Sequence, residues 1–324
     1  MKKYFITGAA GFIGFHISKT LLERGDSVTG YDNLNEYYEI SLKLRRLELL
    51  KNYPSFNFIK GELEDAALVS ETVNLGGFSA IIHLAAQAGV RYSLEHPEAY
   101  ISSNLVGTFN IIEAARANST PHLLFASSSS VYGANEKTPF SVDDRTDSPI
   151  SLYAATKKSN ELMAHSYSHL FGMHITGLRF FTVYGPYGRP DMALFKFTKN
   201  IIEGKPIEVY NNGDMYRDFT YIDDIVKGVV ELIDKSCALN KKPPFAVYNI
   251  GNHTPVKLSD FVSLVERALD KKADIIYKPM QPGDVRETYA DVEMLMRDTG
   301  FNPKTELKDG IDKFVKWYMS YYEK

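Results

Sequence analysis

A tyrosine and a lysine stand four residues apart in the segment Ser-Leu-Tyr-Ala-Ala-Thr-Lys, at Tyr153 and Lys157. Four residues make about one helical turn, so both side chains lie on the same face of a predicted helix. A lysine cation beside a phenol favours the phenolate and lowers a tyrosine pKa that is ordinarily about 10. We therefore predict that Tyr153 can take a proton from an alcohol or sugar hydroxyl group near neutral pH.

A glycine-rich turn near the start of the chain could bind the hydride acceptor that such a base requires. The apolar run 4–7 leads into Gly8-Ala-Ala-Gly11-Phe-Ile-Gly14, and a helical pattern continues through Leu22. In a strand–turn–helix unit, Gly8 allows the tight turn, Gly11 lets the backbone approach a pyrophosphate, and Gly14 permits close helix–strand packing. The N-terminus of the helix then favours the anionic phosphates of a dinucleotide.

A second predicted strand, at 28–31, ends in Asp32. This acid follows the turn by roughly 20 residues, where a carboxylate binds the ribose hydroxyls of NAD. Asn33 and Leu34 come next rather than a basic residue, so a 2′-phosphate would be repelled. The spacing Gly-x-x-Gly-x-x-Gly differs from the commoner Gly-x-Gly-x-x-Gly. We predict NAD rather than NADP as the cofactor.

Bulk properties exclude several classes of protein. The formal net charge of −3 over 324 residues gives no basic surface for nucleic acid. We find no apolar run long enough for membrane insertion, and the N-terminal one is too short for a signal peptide. The single cysteine, Cys237, cannot form an internal disulfide and indicates a reduced thiol in a cytoplasmic protein. The scattered histidines predict no metal site.

Short apolar runs alternate with helical patterns along the first 180 residues. Strands are predicted at 4–7, 28–31, 56–59, 80–85, 122–126 and 174–180, and helices at 12–24, 41–51, 65–74, 97–117 and 152–171. Continuous apolar runs are typical of strands that are covered on both faces, and their alternation with helices indicates a parallel sheet with right-handed crossovers. We therefore predict an α/β fold built on a Rossmann-type doubly wound parallel sheet.

The pattern becomes less regular after about residue 180. Glycine and proline cluster at 185–190, and helices are predicted at 192–203, 222–235, 258–269, 291–298 and 308–321. We predict an NAD-binding domain at 1–180 and a smaller C-terminal α/β substrate-binding lobe at 181–324. A later segment near 205–240, with the strand-like run 207–210, is expected to return to the sheet of the first domain.

With these features the chain resembles, over nearly its full length, the extended short-chain dehydrogenase/reductases of the NAD-dependent nucleotide-sugar epimerase/dehydratase type. The resemblance rests on the glycine turn, Leu84-Ala-Ala, Asn104-Leu-Val-Gly-Thr, Ser-Ser-Ser-Val-Tyr-Gly (128–133), the Tyr153/Lys157 pair, Arg-Phe-Phe-Thr-Val-Tyr-Gly-Pro (179–186) and Arg-Asp-Phe (217–219), in that order. One departure is Gly61-Glu62-Leu63, because the family usually has aspartate after this glycine. Glu62 is expected to reach the adenine in its place.

The resemblance implies a role for each matching position. Tyr153 becomes the catalytic base, Lys157 also holds the nicotinamide ribose, and Ser128 bonds to the reacting hydroxyl group. The implied cofactor-binding residues are Gly8, Gly11, Phe12, Ile13, Gly14, Asp32, Asn33, Glu62, Leu63, Leu84, Ala85, Ala86, Asn104, Tyr153, Lys157 and Phe180. Arg217, and Arg286 in Pro-Gly-Asp-Val-Arg-Glu (282–287), would clamp a diphosphate, because guanidinium groups donate in pairs and stay charged.

The residues after Ser128 indicate which reaction follows the first oxidation. Dehydratases of this family carry an acidic pair there, and the related UDP-glucuronate decarboxylases generally have a glutamate where Ser130 stands. Here Ser129 and Ser130 replace them, so proton-driven elimination lacks its catalyst. Oxidation and re-reduction at one carbon remains, which is C4 epimerisation with NAD regenerated in each cycle.

The group on C5 of the sugar is the last question. Gly-Arg189-Pro-Asp-Met-Ala193 and Gln87-Ala-Gly-Val-Arg91-Tyr-Ser resemble segments of the UDP-glucuronate 4-epimerases, whereas UDP-glucose 4-epimerases lack an arginine at position 189. A buried carboxylate needs a charged partner, which Arg189 can supply; alternatively, Arg189 stabilises its own loop. The implied substrate-binding residues are Gln87, Arg91, Ser128, Ser129, Ser130, Thr182, Arg189, Ala193, Arg217 and Arg286.

A 4-keto glucuronate is a β-keto acid, which loses carbon dioxide easily. The site must therefore keep the carboxylate charged and its C–C bond out of line with the carbonyl π system. We hypothesise that Arg189, Ser129, Ser130 and Thr182 do this.

The leading hypothesis is conversion of UDP-glucuronate to UDP-galacturonate, and the alternative is C4 epimerisation of neutral UDP-hexoses or UDP-N-acetylhexosamines. A non-catalytic NAD-binding protein is disfavoured, because Ser128, Tyr153 and Lys157 are all present. The resemblance also implies a homodimer that pairs helices 97–117 and 152–171 in a four-helix bundle. Leu105, Ile111 and Ile112 could line that interface or belong to the core.

Overall fold

The computed structural model describes residues 1–281 and 283–322. Pro282, which opens the predicted diphosphate-binding segment 282–287, lies outside the described residues, and so do the last two residues of the predicted lobe. Arg286 lies within them. Among the described residues, no helix is long and apolar enough to cross a membrane.

Seven parallel strands form the central sheet. They are β1 (Lys3–Thr7), β2 (Ser27–Asp32), β3 (Phe56–Lys60), β4 (Ala80–His83), β5 (Leu123–Ser128), β6 (Ile175–Phe180) and β10 (Phe245–Ile250), and their spatial order is β10-β6-β5-β4-β1-β2-β3. The order reverses beside β1, which is the topological switch point of a doubly wound sheet. The predicted fold class is confirmed.

Helices cover both faces of this sheet. One face carries α1 (Phe12–Glu23), α2 (Ile40–Lys51) and α9 (Ile222–Lys235), and the other carries α3 (Ala66–Gly76), α6 (Thr108–Ala117) and α7 (Leu152–Phe171). Local signals set the helix ends. The Ser151 hydroxyl accepts a hydrogen bond from the Ala154 amide at the start of α7, and Gly172 ends that helix at a φ of 65°.

The segment predicted as one helix at 97–117 is divided. Two short helices, α4 (Tyr92–Glu95) and α5 (Pro97–Tyr100), precede a π-helical run at Ile101–Gly107, which continues into α6. Runs of this kind are rare and often lie at functional sites. The run contains Asn104, and a Cβ on Gly107 would lie 2.5 Å from the Leu63 Cβ.

The later part of the chain builds the lobe beside the sheet. Its helices are α8 (Ala193–Ile202), α10 (Leu258–Leu269), α11 (Glu293–Thr299) and α12 (Leu307–Tyr322), and its strands are β7 (Thr182–Tyr184), β8 (Ile207–Tyr210), β9 (Tyr216–Tyr221), β11 (Pro255–Lys257) and β12 (Ile275–Lys278). The strands form two small sheets, β11-β9-β7 and β12-β8. Short 3₁₀ turns lie at Ser129–Tyr132 and Asn211–Gly213.

The strand that returns to the main sheet is β10, not the predicted run 207–210. Ile207 and Val209 are buried but Glu208 between them is exposed, so β8 is covered on one face only and pairs with β12. By contrast, all four residues of β4, in the middle of the main sheet, are buried. From the predicted segment 205–240, α9 does pack on the main domain, against α1. The domain boundary at residue 180 stays a prediction.

Candidate active site

A cavity of about 900 Å³ opens at the carboxyl ends of the parallel strands. This is the edge at which open α/β sheets bind ligands. Of the predicted site residues, those that line the cavity are Gly8, Gly11, Phe12, Ile13, Gly14, Asp32, Asn33, Glu62, Leu63, Leu84, Ala85, Ala86, Gln87, Arg91, Ser128, Ser129, Ser130, Tyr153, Lys157, Phe180, Thr182, Arg189, Ala193 and Arg217. Asn104 and Arg286 lie outside that lining.

The glycine turn is packed so closely that a Cβ fits at neither Gly8 nor Gly14. Gly8 has a φ of 73°, which favours glycine, and its amide donates to the Tyr31 carbonyl at 2.8 Å. A Cβ on Gly14 would lie 2.1 Å from the Gly8 carbonyl oxygen, and a Cβ on Gly8 would lie 2.8 Å from the Ala85 amide nitrogen. The turn therefore brings bare backbone and the first turn of α1 to the cavity wall, as a bound pyrophosphate requires.

Asp32 lies at the end of β2 with its carboxylate held in place. Oδ2 accepts from the Ala10 amide at 3.1 Å, and Oδ1 accepts from the Leu34 amide at 2.9 Å. Burial raises the pKa of Asp32, whereas these amides and the nearby Lys43 cation oppose that shift. The glycine turn and this oriented carboxylate fit the pyrophosphate and ribose of NAD.

Glu62, the departure from the family pattern, lies at the same end of the cavity. Its Oε2 accepts from the Asn33 side-chain amide at 2.8 Å, and its carbonyl accepts from the Tyr31 hydroxyl at 2.7 Å. The glutamate therefore joins the ends of β2 and β3.

Ser128, Tyr153 and Lys157 line the same cavity although 24 residues lie between the serine and the tyrosine. Lys157 is 3% exposed, and its Nζ donates to the Ala126 carbonyl at 3.0 Å. Burial lowers the pKa of Lys157 to about 8. The Ser128 hydroxyl donates to the Ser130 hydroxyl at 3.2 Å and accepts from the Ser130 amide at 3.2 Å, and it lies near enough to Tyr153 to act on the pKa of that residue.

The prediction that the pKa of Tyr153 is lowered is wrong. Burial raises this pKa and outweighs the Ser128 hydrogen bond and the Arg189 cation, which both lower it; Asp191 raises it further. The physical reason is that removing a phenolate from water costs more than these partners return. A base at this position therefore needs further positive charge in the cavity.

Asn104 supports the cavity wall from behind. The side chain is fully buried, its Oδ1 accepts from the Gln87 amide at 2.8 Å, and its Nδ2 donates to the Gln87 carbonyl at 3.0 Å and to the Thr156 hydroxyl at 3.1 Å. These three bonds fix the Gln87 backbone on the cavity wall, and the implied contact of Asn104 with the cofactor stays a prediction.

The side chains of the two predicted diphosphate arginines point to different places, although Arg217 donates to the Arg286 carbonyl at 3.0 Å. Arg217 lines the cavity, donates to the Asp284 carboxylate at 2.8 Å and to the Val285 carbonyl at 2.7 Å, and has a pKa lowered by burial. The Arg286 side chain is 66% exposed and pairs with Asp214 at 3.0 Å. The structure therefore does not bring Arg286 into the site, because its ion pair directs it to the surface.

Arg189 has an internal partner that the sequence analysis missed. Its Nε donates to Asp191 Oδ1 at 3.0 Å, its Nη2 donates to Oδ2 at 2.5 Å, and the Tyr37 hydroxyl donates to the same Oδ2 at 3.1 Å. Burial opposes the charge on Arg189, but Asp191 raises the pKa of the guanidinium overall. Asp191 lies two residues after Arg189 in the segment 188–193, so the sequence could have indicated it as a partner. No motif in the sequence marks Tyr37 as part of this site.

A buried ion pair lies beneath the catalytic residues. Arg179 on β6 binds Glu161 on α7 through two hydrogen bonds, of 2.8 and 2.9 Å, and the Ser127 hydroxyl donates to Glu161 at 2.6 Å. Arg179 also donates to the Tyr132 hydroxyl at 3.0 Å. The residue before Ser128 and the helix of Tyr153 are thus fixed to one another.

The chain is similar to known proteins over most of its length. The sequence profile of the NAD dependent epimerase/dehydratase family matches residues 4–251. The chain is 52% identical to Protein CapI of Staphylococcus aureus over 99% of this chain and 100% of that one. It is 49% identical to a probable UDP-glucuronate 4-epimerase of Rhizobium meliloti (strain 1021) over 99% and 98% of the two chains.

A solved structure is similar over the whole length. The UDP-glucuronic acid 4-epimerase from Bacillus cereus, in complex with UDP-glucuronic acid and NAD, has a TM-score of 0.90 at 32% identity and covers 99% of this chain and 100% of that chain. The fold and the site define an NAD-dependent enzyme built on a Rossmann sheet. The chain belongs to the NAD dependent epimerase/dehydratase family, which confirms the resemblance and the NAD prediction.

The glycine turn gives a direct test of cofactor binding. We expect Gly14→Ala to reduce the NAD content of the purified protein by at least tenfold, because the added Cβ displaces the turn. A loss of ~1.4 kcal/mol in the free energy of NAD binding already weakens binding by that factor. NAD would be released with acid and measured by chromatography. The matched control is Ser18→Ala in the same helix, whose buried hydroxyl has no partner among the described residues. Unchanged NAD content in Gly14→Ala would contradict this assignment.

Proposed function

We propose that this enzyme interconverts UDP-glucuronate and UDP-galacturonate by NAD-dependent epimerisation at C4, through a 4-keto intermediate. The observation that carries the proposal is that Tyr153, its partner Ser128 and the cation of Arg189 line one cavity with the glycine turn. The cavity thus combines a hydroxyl-directed base, a dinucleotide site and a charged partner for a carboxylate. The names of the Rhizobium meliloti and Bacillus cereus relatives support the same reaction.

The protein residues move the proton. Tyr153 takes it from O4 of the sugar, and the neighbouring Ser128 hydroxyl orients the reacting hydroxyl group. When bound, NAD⁺ supplies the acceptor for the C4 hydride, its later return, and a positive charge that favours the phenolate. Lys157 remains largely protonated at neutral pH, since its pKa is about 8. The 4-keto sugar turns in the cavity so that its other face receives the hydride, and Tyr153 then returns the proton to O4 of the inverted sugar.

Elimination is disfavoured because the groups beside Ser128 cannot act as acids. Ser129 and Ser130 line the cavity, and a hydroxyl group does not donate a proton readily at neutral pH. The carboxylate of Asp191, also on the cavity wall, is occupied by Arg189 and Tyr37. Its pKa is lowered, because the Arg189 cation and these hydrogen bonds outweigh its burial.

Arg189 is the proposed partner of the sugar carboxylate. Asp191 occupies Nε and one hydrogen of Nη2, which leaves the Nη1 hydrogens and the second Nη2 hydrogen for a ligand. These hydrogens form a second donor edge that suits a carboxylate. A carboxylate held there would stay charged and fixed in direction, so that the 4-keto acid keeps its carbon dioxide. Arg217 is the proposed partner of the diphosphate.

The reaction itself is tested with purified protein and UDP-glucuronate. We expect UDP-galacturonate to form, and Tyr153→Phe to lower kcat by about 10²–10⁴ through loss of the base. The ring is retained, so calorimetry should give an unchanged affinity for UDP-glucuronate. Parallel assays with UDP-glucose and UDP-N-acetylglucosamine serve as controls. Equal turnover of those sugars would favour the neutral-sugar alternative, and absence of UDP-galacturonate would refute the proposal.

The role of Arg189 is tested with Arg189→His. An imidazole cannot donate a parallel pair of hydrogen bonds, so we expect the affinity for UDP-glucuronate to fall by about tenfold or more. The fraction of decarboxylated, pentose product should rise, because the carboxylate is no longer held. The affinity for UDP, which lacks the carboxylate, is the control. Unchanged affinity for UDP-glucuronate with no rise in pentose would count against the role.

We also propose that two copies pair through the segments 97–117 and 152–171. Ile111 and Ile112 are 0% and 2% exposed and pack in the core, so they do not contribute, whereas Leu105 is partly exposed. The exposed apolar side chains on the two segments include Ile101, Val106, Phe109 and Leu162. An apolar surface on neighbouring helices is typical of an interface between copies.

The double variant Phe109→Asp, Leu162→Asp should be monomeric, because a carboxylate buried in an apolar interface lacks a partner. Light scattering coupled to size-exclusion chromatography would measure the mass, which should fall from that of two chains to that of one. Leu75→Asp, on α3 and 76% exposed, is the matched control and should leave the mass unchanged. A monomeric wild-type protein would contradict the dimer.

A further inference from the structure

Arg46 on α2 is a fully buried cation, and its described hydrogen-bond partners are neutral oxygen atoms. Its Nη1 donates to the Ala10 carbonyl at 2.8 Å and to the Tyr38 hydroxyl at 2.7 Å. Its Nη2 donates to the Tyr187 carbonyl at 2.7 Å and to the Gly188 carbonyl at 3.3 Å. One guanidinium group therefore joins the glycine turn of the NAD-binding domain to the loop that follows β7.

This loop is held in an unusual backbone conformation. Tyr187 has a φ of 58°, in the left-handed region that favours glycine. Its ring packs against Phe15 and Trp317, with centroids 5.1 and 4.9 Å away. His16 on α1 contacts the Pro186 carbonyl at 2.9 Å. Surrounding contacts thus hold a loop that would otherwise relax.

Burying a cation without a carboxylate partner is costly, and an apolar side chain would fill the same space more cheaply. What Arg46 adds is a connection. The Ala10 amide donates a hydrogen bond to Asp32 at 3.1 Å, and the Ala10 carbonyl accepts one from Arg46. Gly188, at the far end of the guanidinium group, immediately precedes Arg189.

We propose that Arg46 is a positioning residue for Arg189, and that it sets the guanidinium of Arg189 relative to the dinucleotide site. This inference rests on the proposed function, in which Arg189 holds the sugar carboxylate. Arg46 touches neither the substrate nor the cofactor in this account. Its loss lets the 187–188 segment move, and the carboxylate of the 4-keto acid is then held less firmly.

The main experiment compares product ratios for Arg46→Met and wild type on UDP-glucuronate. We expect the ratio of pentose product to UDP-galacturonate to rise by about tenfold, since small displacements of a positioning group have effects of this order or larger. The affinity for UDP should be unchanged. Arg45→Met is the matched control, because Arg45 is the neighbouring residue of α2 and makes a surface ion pair with Glu48. It should keep the wild-type ratio.

Two further variants separate positioning from a purely structural role. Arg46→Lys keeps the charge, but a single ammonium group does not reach both the turn and the loop, so the ratio should still rise while most of the thermal stability is retained. The double variant Arg46→Met, Arg189→His should give the same ratio as Arg189→His alone, because both changes act on one interaction.

The outcomes are distinct. A lower melting temperature with a wild-type product ratio in Arg46→Met and Arg46→Lys would show that Arg46 supports the fold only. A ratio in the double variant equal to the product of the two single effects would show that Arg46 does not act through Arg189. A wild-type chain that makes no UDP-galacturonate would overturn the proposed function itself, and the inference with it.

Discussion

The ion pair between Glu161 and Arg179 is the interaction on which the geometry of the candidate site depends. It is buried and doubly hydrogen-bonded, and it joins α7 to β6 at the point where the Ser127 hydroxyl also binds Glu161. Such pairs add little net stability, but removal of either partner leaves an uncompensated buried charge, so the two elements keep one relative position. Because Tyr153, Lys157 and Glu161 follow one another at four-residue spacing, fixing the last also fixes the other two.

A neighbouring face of α7 is held by amide groups rather than charges. Asn104, in the π-helical run, donates to Thr156, and the Asn160 side chain donates to the Asn104 carbonyl at 2.7 Å. The same Asn104 holds the backbone of Gln87 on the cavity wall. The helix that carries Tyr153 is therefore fixed on two neighbouring faces by polar contacts that are fully buried. Polar groups with specific partners give one defined arrangement, which a purely apolar helix face gives less strictly.

Much of the fold and part of the site could be predicted from the sequence. The glycine turn and Asp32 are recognisable because their spacing reflects one local strand–turn–helix unit. The first six strands are recognisable as short runs rich in apolar residues between helical patterns. The strand at 207–210 was placed in the wrong sheet, because a short run does not specify its partner. The return of β10 to the sheet depends on how the intervening 64 residues between β6 and β10 fold.

The sequence by itself determined the fold class, the position of the dinucleotide turn, and the side chains available for proton transfer, because each is set by residues close together in the chain. Only the tertiary structure decided how those side chains behave. It raised the pKa of Tyr153 through burial, gave Arg189 the Asp191 carboxylate, used Asn104 as a support, and directed Arg286 to the surface. These properties depend on desolvation and on contacts between distant segments, and local spacing carries no information about either.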